Sequence, residues 1–307
     1  MIYYFIVNPG SRSGHGQSVW QTVEEILDRE QAEYHVFFTS YRYHATELAR
    51  EITSRKEKLT LVALGGDGTV DEVINGIQDF SRVTFAYIPT GSSNDFARSL
   101  GLPSDTEEAV MNILHPRYLQ KIDLGLASLD GEEHRFAVSC GCGFDAAVCH
   151  EALSSRFKNL LNKLKLGKLT YVGIALKQII MSKRFASTLI LDGHKTLRYK
   201  QTFFIAGMNC CYEGGGLKLA PKAKPDDGFL NVCVVENLPR LVIAFMLPTA
   251  YVGKHTIFPG VHLYRVKKFE IQFHEQVAFH ADGEPFYAQK NIQVSCLPKC
   301  LTMIAGK

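Results

Sequence analysis

The chain is short of several things, and each shortage removes a class of function. Its net charge is only +3 over 307 residues, so no global positive field points to nucleic acid. The longest apolar stretch, residues 241–252, is too short to span a bilayer and is interrupted by Pro248. The opening residues Met1-Ile2-Tyr3-Tyr4-Phe5-Ile6-Val7 have neither a basic n-region nor a small-residue cleavage site, which predicts a first strand and not a signal peptide. The eight cysteines show no metal-like spacing. Cys140-x-Cys142 and Cys210-Cys211 lie in apolar, strand-like segments and read as small buried thiols in a reducing cytosol. Internal repeats and low-complexity linkers are absent, and so is the Gly-Lys-Ser/Thr ending of a Walker loop. Acid is scarce in one region. From 152 to 200 only Asp192 opposes Arg156, Lys158, Lys163, Lys165, Lys168, Lys177, Lys183, Arg184, Lys195, Arg198 and Lys200. That local field implies an anionic partner, such as a membrane surface or an acidic ligand.

What is present is a change of pattern after about residue 125. Before it, strand and helix alternate: strand 3–7, helix 19–29, strand 34–38, helix 45–57, strand 59–64, helix 70–77, strand 84–88 and helix 94–100. Such alternation with short loops predicts a doubly wound parallel sheet, with ligands at the carboxyl ends of its strands. Beyond it come short β-branched and aromatic runs at 135–140, 187–191, 201–208, 230–235, 268–273 and 278–281. Turn signals such as Asp192-Gly193, Asp227-Gly228 and Asp282-Gly283 separate them, which predicts an antiparallel β-sandwich with a basic helical insertion at 154–184. Two last strands are expected at 292–294 and 301–304. The expected domains are 1–125 and 126–289, and the pattern leaves the allegiance of the two last strands open.

Gly65-Gly66-Asp67-Gly68-Thr69, directly after the apolar run 59–64, is the most informative stretch. Its glycines let backbone amides approach an anion, the next helix adds its positive end, and Asp67 could reach a Mg²⁺ ion bridging phosphates. Two companion loops sit at other strand ends. Asn8-Pro9-Gly10-Ser11-Arg12-Ser13-Gly14-His15-Gly16 offers glycines and hydroxyl donors. In Pro89-Thr90-Gly91-Ser92-Ser93-Asn94-Asp95-Phe96-Ala97-Arg98, Asn94 or Asp95 is either a helix cap or, for Asp95, a second carboxylate facing Asp67.

Together with Ile122-Asp123-Leu124-Gly125 and Asp282-Gly283-Glu284-Pro285, these loops resemble, over nearly the whole chain, the diacylglycerol kinase catalytic-domain family of soluble bacterial lipid kinases, related to sphingosine and ceramide kinases. The resemblance implies a nucleotide-binding α/β domain to which the segment at about 290–307 returns, a lipid-binding sandwich and an active site in the cleft between them. It implies an ATP site from Asn8, Pro9, Gly10, Ser11, Arg12, Thr39, Gly65, Gly66, Asp67, Gly68, Thr69, Val70, Asp71 and Ser92, with Asn94 a further donor. Asp67, Asp95 and Asp123 would surround the catalytic Mg²⁺. Ser92 stands where many relatives carry threonine, which keeps the hydroxyl. The general base falls in Asp282-Gly283-Glu284, where Glu284 is favoured and Asp282 is a close rival. A structural Mg²⁺ would use the Asp227 side chain with the carbonyls of Lys224 and Phe229, oxygen donors that suit a hard cation.

The expected activity is therefore transfer of the γ-phosphoryl group of ATP to a free lipid hydroxyl, at the inner face of the cytoplasmic membrane. The leucine- and lysine-rich segment Arg156-Phe157-Lys158-Asn159-Leu160-Leu161-Asn162-Lys163-Leu164-Lys165-Leu166 is expected to dock on anionic lipid. A homodimer is carried over from the family. His44, His255, His262 and His280 are scattered and receive no role. The rivals are an NAD kinase-like enzyme, which shares the Gly-Gly-Asp-Gly-Thr loop, and a non-catalytic lipid-binding protein on a kinase scaffold.

Overall fold

A strand that is apolar along its whole length needs cover on both faces, and a parallel sheet between helices supplies it. The first part of the chain follows that logic through β1 (Tyr3–Val7), α1 (Ser11–Arg29), β2 (Tyr34–Phe38), α2 (His44–Thr53), β3 (Leu59–Gly65), α3 (Asp67–Gly76), β4 (Val83–Pro89), α4 (Asp95–Ser99) and α5 (Thr106–Leu114). Every residue of β1 and β3 is buried. β1 pairs in parallel with β2 on one side and β3 on the other, and β3 pairs in parallel with β4. The order β2-β1-β3-β4 changes direction between β1 and β3, and beyond the carboxyl ends of those strands such a sheet opens a crevice for a ligand. The two glycine-rich loops that leave β1 and β3 flank it.

The computed structural model describes residues 2–129, 131–154 and 167–306. Its packing forms two units, Met1–Leu124 with Pro225–Asp227 and Leu297–Lys307, and Gly125–Lys224 with Gly228–Cys296. In the first unit Trp20 of α1 packs edge-on against Phe5 of β1, ring centroids 5.4 Å apart, at the centre of a core that includes Val7, Leu27, Val62 and Ile88. α1 starts earlier than its apolar spacing predicts. Arg12, Ser13 and Gly14 interrupt its first turn with φ of 46°, 60° and 94°, a left-handed run that costs the two non-glycine residues on the order of 1 kcal/mol each. α5 is an element the strand-helix pattern missed. Its signal is Asp105, whose side chain accepts the Glu108 amide at 2.9 Å and caps the helix.

The chain enters the second unit within β5 (Leu119–Leu129). There follow β6 (Glu132–Phe136), β7 (Ser139–Gly143), α6 (Phe144–Ser154), α7 (Gly167–Met181), β8 (Phe185–Leu191), β9 (Lys195–Met208), β10 (Leu230–Glu236), α8 (Arg240–Ala250), β11 (Val261–Val266), β12 (Lys268–Ala281) and β13 (Glu284–Ile304). β9 and β12 are each long enough to pair with β8 over one half and with β7 over the other. The four antiparallel strands thus close on themselves around Leu189, Leu191, Ile205, Phe269, Ile271 and Phe279.

Several expected boundaries change here. The runs at 268–273 and 278–281 are one strand, β12, with register shifts between them. The two expected last strands are one 21-residue strand, β13, whose Thr302 and Met303 pair in parallel with β4. Most of the 241–252 run is a helix, α8, which ends at Ala250. The basic segment 156–166 lies outside the described residues.

Gly125 shows why a motif residue can be structural. It pairs with Phe136 across β5 and β6, and a Cβ there would fall 1.9 Å from the Phe136 ring, which is fully buried. We expect Gly125→Ala to destabilise the protein by about 1–3 kcal/mol, and Phe136→Leu to restore part of that loss, both read as urea-unfolding midpoints.

Candidate active site

The loops at the strand ends of the first unit are fused through backbone. Thr90 donates its amide to the Gly65 carbonyl at 2.7 Å, and Asn8 donates to Leu64 at 2.8 Å. A Cβ on Gly91 would sit 2.7 Å from the Cα of Gly66, so two main chains touch where any side chain would part them. The Asn8 Nδ2 donates to the Thr69 hydroxyl at 3.1 Å, and the Ser11 and Thr90 hydroxyls are 2.6 Å apart. Gly68 is different. It has no positive φ, and a Cβ added to it meets nothing within 4 Å. The protein itself gives no steric reason for glycine there, whereas a phosphate drawn close to the backbone does. The N-terminus of α3 has no side-chain cap, which suits the same anion.

Asp67 holds the next loop. Its carboxylate accepts the amides of Asp95 and Phe96 at 3.1 and 3.3 Å. The cap of α4 therefore comes from a residue 28 positions earlier, and neither Asn94 nor Asp95 caps its own helix, as the simpler reading had it. Asn94 instead accepts from the Gly91 amide at 2.9 Å and returns a bond to the Gly91 carbonyl. Asp95 is buried, with the Arg98 guanidinium 3.7 Å from its carboxylate. Tyr87, unnoticed in the sequence, reaches the Gly65 carbonyl and the Asn94 side chain. Burial, and then the charges of Asp67 and Asp95, push its phenol well above its ordinary pKa, so it remains a neutral donor.

Asp67 and Asp95 are thus brought together. Asp123 is fully buried on β5, where its Oδ1 accepts the Lys299 amide at 2.7 Å and its own amide donates to Pro225. Of the remaining candidates, Asn8, Pro9, Gly10, Thr39 and Thr69 line a cavity of about 450 Å³. Ser40, Tyr41, Arg42, Ala45 and Glu72 complete its walls without any sequence signal that singled them out. Val70 and Asp71 do not line it: both side chains are buried, and Asp71 accepts from Asn75. Arg12 and Ser92 are exposed. Asp227 lies on the turn after Lys224, and Phe229 carries the Arg265 guanidinium 3.5 Å over its ring.

In the second unit the hairpin between β12 and β13 separates the two candidate bases. Asp282 and Gly283 both have positive φ, 47° and 84°, the geometry of a tight two-residue hairpin turn. The Asp282 carboxylate accepts three amides, from Ala137 at 2.6 Å and from Val138 and Ser139 at 2.9 Å. Burial raises its pKa and the three amides work against that rise. A carboxylate so engaged anchors the turn. Glu284 begins β13 half-buried, beside that anchor.

Behind the turn is a buried network that sequence reading missed. His280 Nε2 lies 2.8 Å from Asp145 and 3.6 Å from Glu213, and Glu213 accepts the Ser139 hydroxyl at 2.6 Å. The Gly283 amide faces Nδ1 at 3.2 Å. Among the described residues Asp145, Glu213 and His280 form the one group whose ligand atoms gather within 4.8 Å. With the Gly283 amide donating to Nδ1, the neutral ring carries its proton on Nε2, which then faces Asp145 as a donor.

Comparisons with known proteins follow this division. Residues 3–127 match the diacylglycerol kinase catalytic domain, and residues 138–305 match the YegS C-terminal NAD kinase beta sandwich-like domain. YtlR of Bacillus subtilis, assigned to the lipid kinases, is 30% identical over 92% of this chain and 93% of its own. The chain belongs to the diacylglycerol kinase family. A diacylglycerol kinase of Staphylococcus saprophyticus is 27% identical, covering 78% of this chain and 74% of its own. A crystal structure of a Bacillus anthracis protein assigned as a diacylglycerol kinase superposes with a TM-score of 0.77 at 26% identity, covering 99% and 97% of the two chains. As a lipid kinase the protein combines an α/β catalytic domain with a sandwich domain, and no described helix is long and apolar enough to cross a membrane.

Two predictions follow from this lipid kinase's hairpin. Asp282→Asn puts an NH₂ group where the Oδ2 that accepts the Ala137 amide stood, leaving one oxygen for the other two amides, and should cost on the order of 1–3 kcal/mol, whereas Glu284→Gln should lower the urea midpoint less. The second concerns His280. Burial lowers its pKa, but Asp145 and Glu213 outweigh burial and carry it to about 9. The stabilisation is then whole below the unfolded imidazole value of about 6.5 and is lost as pH rises through about 9. The urea midpoint should fall across that window in the wild type and change less in His280→Gln.

Proposed function

We propose that this protein transfers the γ-phosphoryl group of ATP to the free hydroxyl of diacylglycerol or a closely related lipid, with Mg²⁺ required. The observation that carries the reading is the open face at Gly68, in a pair of loops locked together by Thr90, Gly91 and the Asp67 carboxylate. In this reading, the β- and γ-phosphates lie against the amides of that loop and the end of α3. The base and ribose occupy the cavity walled by Asn8, Pro9, Thr39 and Thr69, whose volume of about 450 Å³ falls in the usual range for a bound small molecule.

Asp67 and Asp95, with Asp123, are the donors proposed for the catalytic Mg²⁺, which when bound would neutralise charge on the transferring phosphoryl group. An all-oxygen set suits that ion. Asp227, with the carbonyls of Lys224 and Phe229, is proposed for a second, structural Mg²⁺ on the same ground. Glu284 accepts the proton of the lipid hydroxyl, and Asp282, held by three amides, fixes the turn that presents it. The site of action is proposed to be the inner face of the cytoplasmic membrane, where the acceptor lies.

The test incubates the protein with labelled ATP and mixed micelles of diacylglycerol, sphingoid base or phosphatidylglycerol, and separately with NAD as sole acceptor. We expect a labelled phosphomonoester of diacylglycerol, dependent on Mg²⁺ and abolished by chelation. Label on NAD alone, or on no acceptor, would overturn the reading. Glu284→Gln should lower kcat by ~10²–10⁴-fold with the KM for ATP unchanged.

A further inference from the structure

α8 is apolar all round, and only half of it has a partner. Ile243, Met246 and Ala250 are buried in the core of the second unit. Leu241, Phe245, Pro248 and Val252 recur at helical spacing on the opposite side, with Leu241 and Phe245 about 70% exposed (69% and 70%). α7 repeats the arrangement: Ile174 and Ile179 are buried, while Leu176, Ile180 and Met181 are exposed. The two exposed stripes meet. Arg240, at the start of α8, donates to the carbonyls of Ile179 and Ile180, and at 3.1 Å to that of Ser182, tying the end of α7 to the residue before Leu241. Past the far end of α8, Tyr251 and Ile257 extend the same exposed apolar surface.

The charge around this surface is mainly positive, the carboxylate of Glu151 being paired with Lys177 of α7 at 2.5 Å. No aspartate or glutamate occurs between Glu151 and Asp192, nor between Glu236 and Glu270, the two stretches that carry α7 and α8. Lys183 and Lys254 are exposed beside the stripes. The segment after Tyr212 adds more: Lys218 donates its amide to the Ala250 carbonyl, and a Cβ on Gly253 would meet the Pro221 ring, so Lys222 lies near the end of α8. An apolar face flanked by exposed lysines, with the Glu151 carboxylate already paired, matches an anionic bilayer, whose headgroups meet the lysines while the side chains enter the acyl boundary. A helix too short to cross a membrane has a suitable length to lie in its interface.

We propose that the exposed face of α7 and α8 is the surface by which this protein docks on anionic membrane. The inference rests on the lipid kinase reading for its purpose, since an acceptor embedded in a bilayer has to be reached there. Its test can be read without any catalysis.

Wild type and the pair Leu241→Ser/Phe245→Ser are sedimented with vesicles of phosphatidylcholine containing phosphatidylglycerol, and with phosphatidylcholine alone. Phe38→Ser, an exposed aromatic of the first unit, is the control. We expect wild type and control to bind the anionic vesicles and to lose binding at high salt. The double variant should bind about tenfold or more weakly, with an unchanged urea midpoint. Phosphorylation of a short-chain, water-soluble diacylglycerol should be the same in all three, and that of long-chain diacylglycerol in vesicles should fall in the double variant. Equal vesicle binding by wild type and double variant, or no binding by wild type, would overturn the docking surface. So would a wild-type dimer that the double variant converts to monomer, because a second copy would then cover the face. Vesicle binding that behaves as expected without phosphorylation of any lipid would sustain the docking surface and remove the kinase reading alone.

Discussion

The carboxylate of Asp67 accepts the first amides of α4, and the arrangement of the first unit's strand-end loops depends on that bond. A parallel sheet delivers loops to its carboxyl edge but does not by itself join them. Here the loop after β3 reaches across to the loop after β4, and the contact of Gly66 with Gly91 leaves no gap between their backbones. The half-buried carboxylate of Asp67 meets the positive end of α4 beside the buried Asp95, and Tyr87, whose pKa is raised by burial and by both charges, stays protonated. Under the proposed function, rigidity at this edge would let a phosphate be met by amides already in place.

The second unit uses the same device on its own hairpin. Asp282 spends its acceptor capacity on three successive amides, 137 to 139, and so pins a two-residue turn whose positive φ values are otherwise unfavourable for a non-glycine residue. Ser139, Glu213, His280 and Asp145 continue the bonding behind it. Buried polar groups are costly unless each finds a partner, and a connected set of them specifies one geometry. In both units, an aspartate in a glycine-rich motif organises main chain next to the residue or backbone assigned the chemistry.

Much of this was legible in the residues. Continuous apolar runs at 3–7 and 59–64 mark strands covered on both faces because nothing polar alternates with them, and the Asp-Gly pairs at 192 and 282 are hairpin turns because both residues take positive φ. Other features were not legible. The joining of 268–273 with 278–281 into β12 depends on a register shift against β13, and α5 was hidden because a nine-residue helix presents little periodicity. His280 was set aside as a scattered histidine, since its partners Asp145 and Glu213 lie far from it in the chain.

By itself the sequence determined the strand-helix order, the glycine loops at the strand ends and the stock of carboxylates, because each of those depends on neighbours within a few positions. Only the tertiary structure decided what each carboxylate does. Asp67 caps a helix 28 residues away, and Asp282 is consumed by a segment more than 140 residues away while Glu284, two positions on, begins a strand. It also decided that the apolar run at 241–252 covers a core with one side and leaves the other exposed. The physical reason is the same in each case: a hydrogen bond or a buried face is a relation between two places in space, and separation along the chain does not encode it.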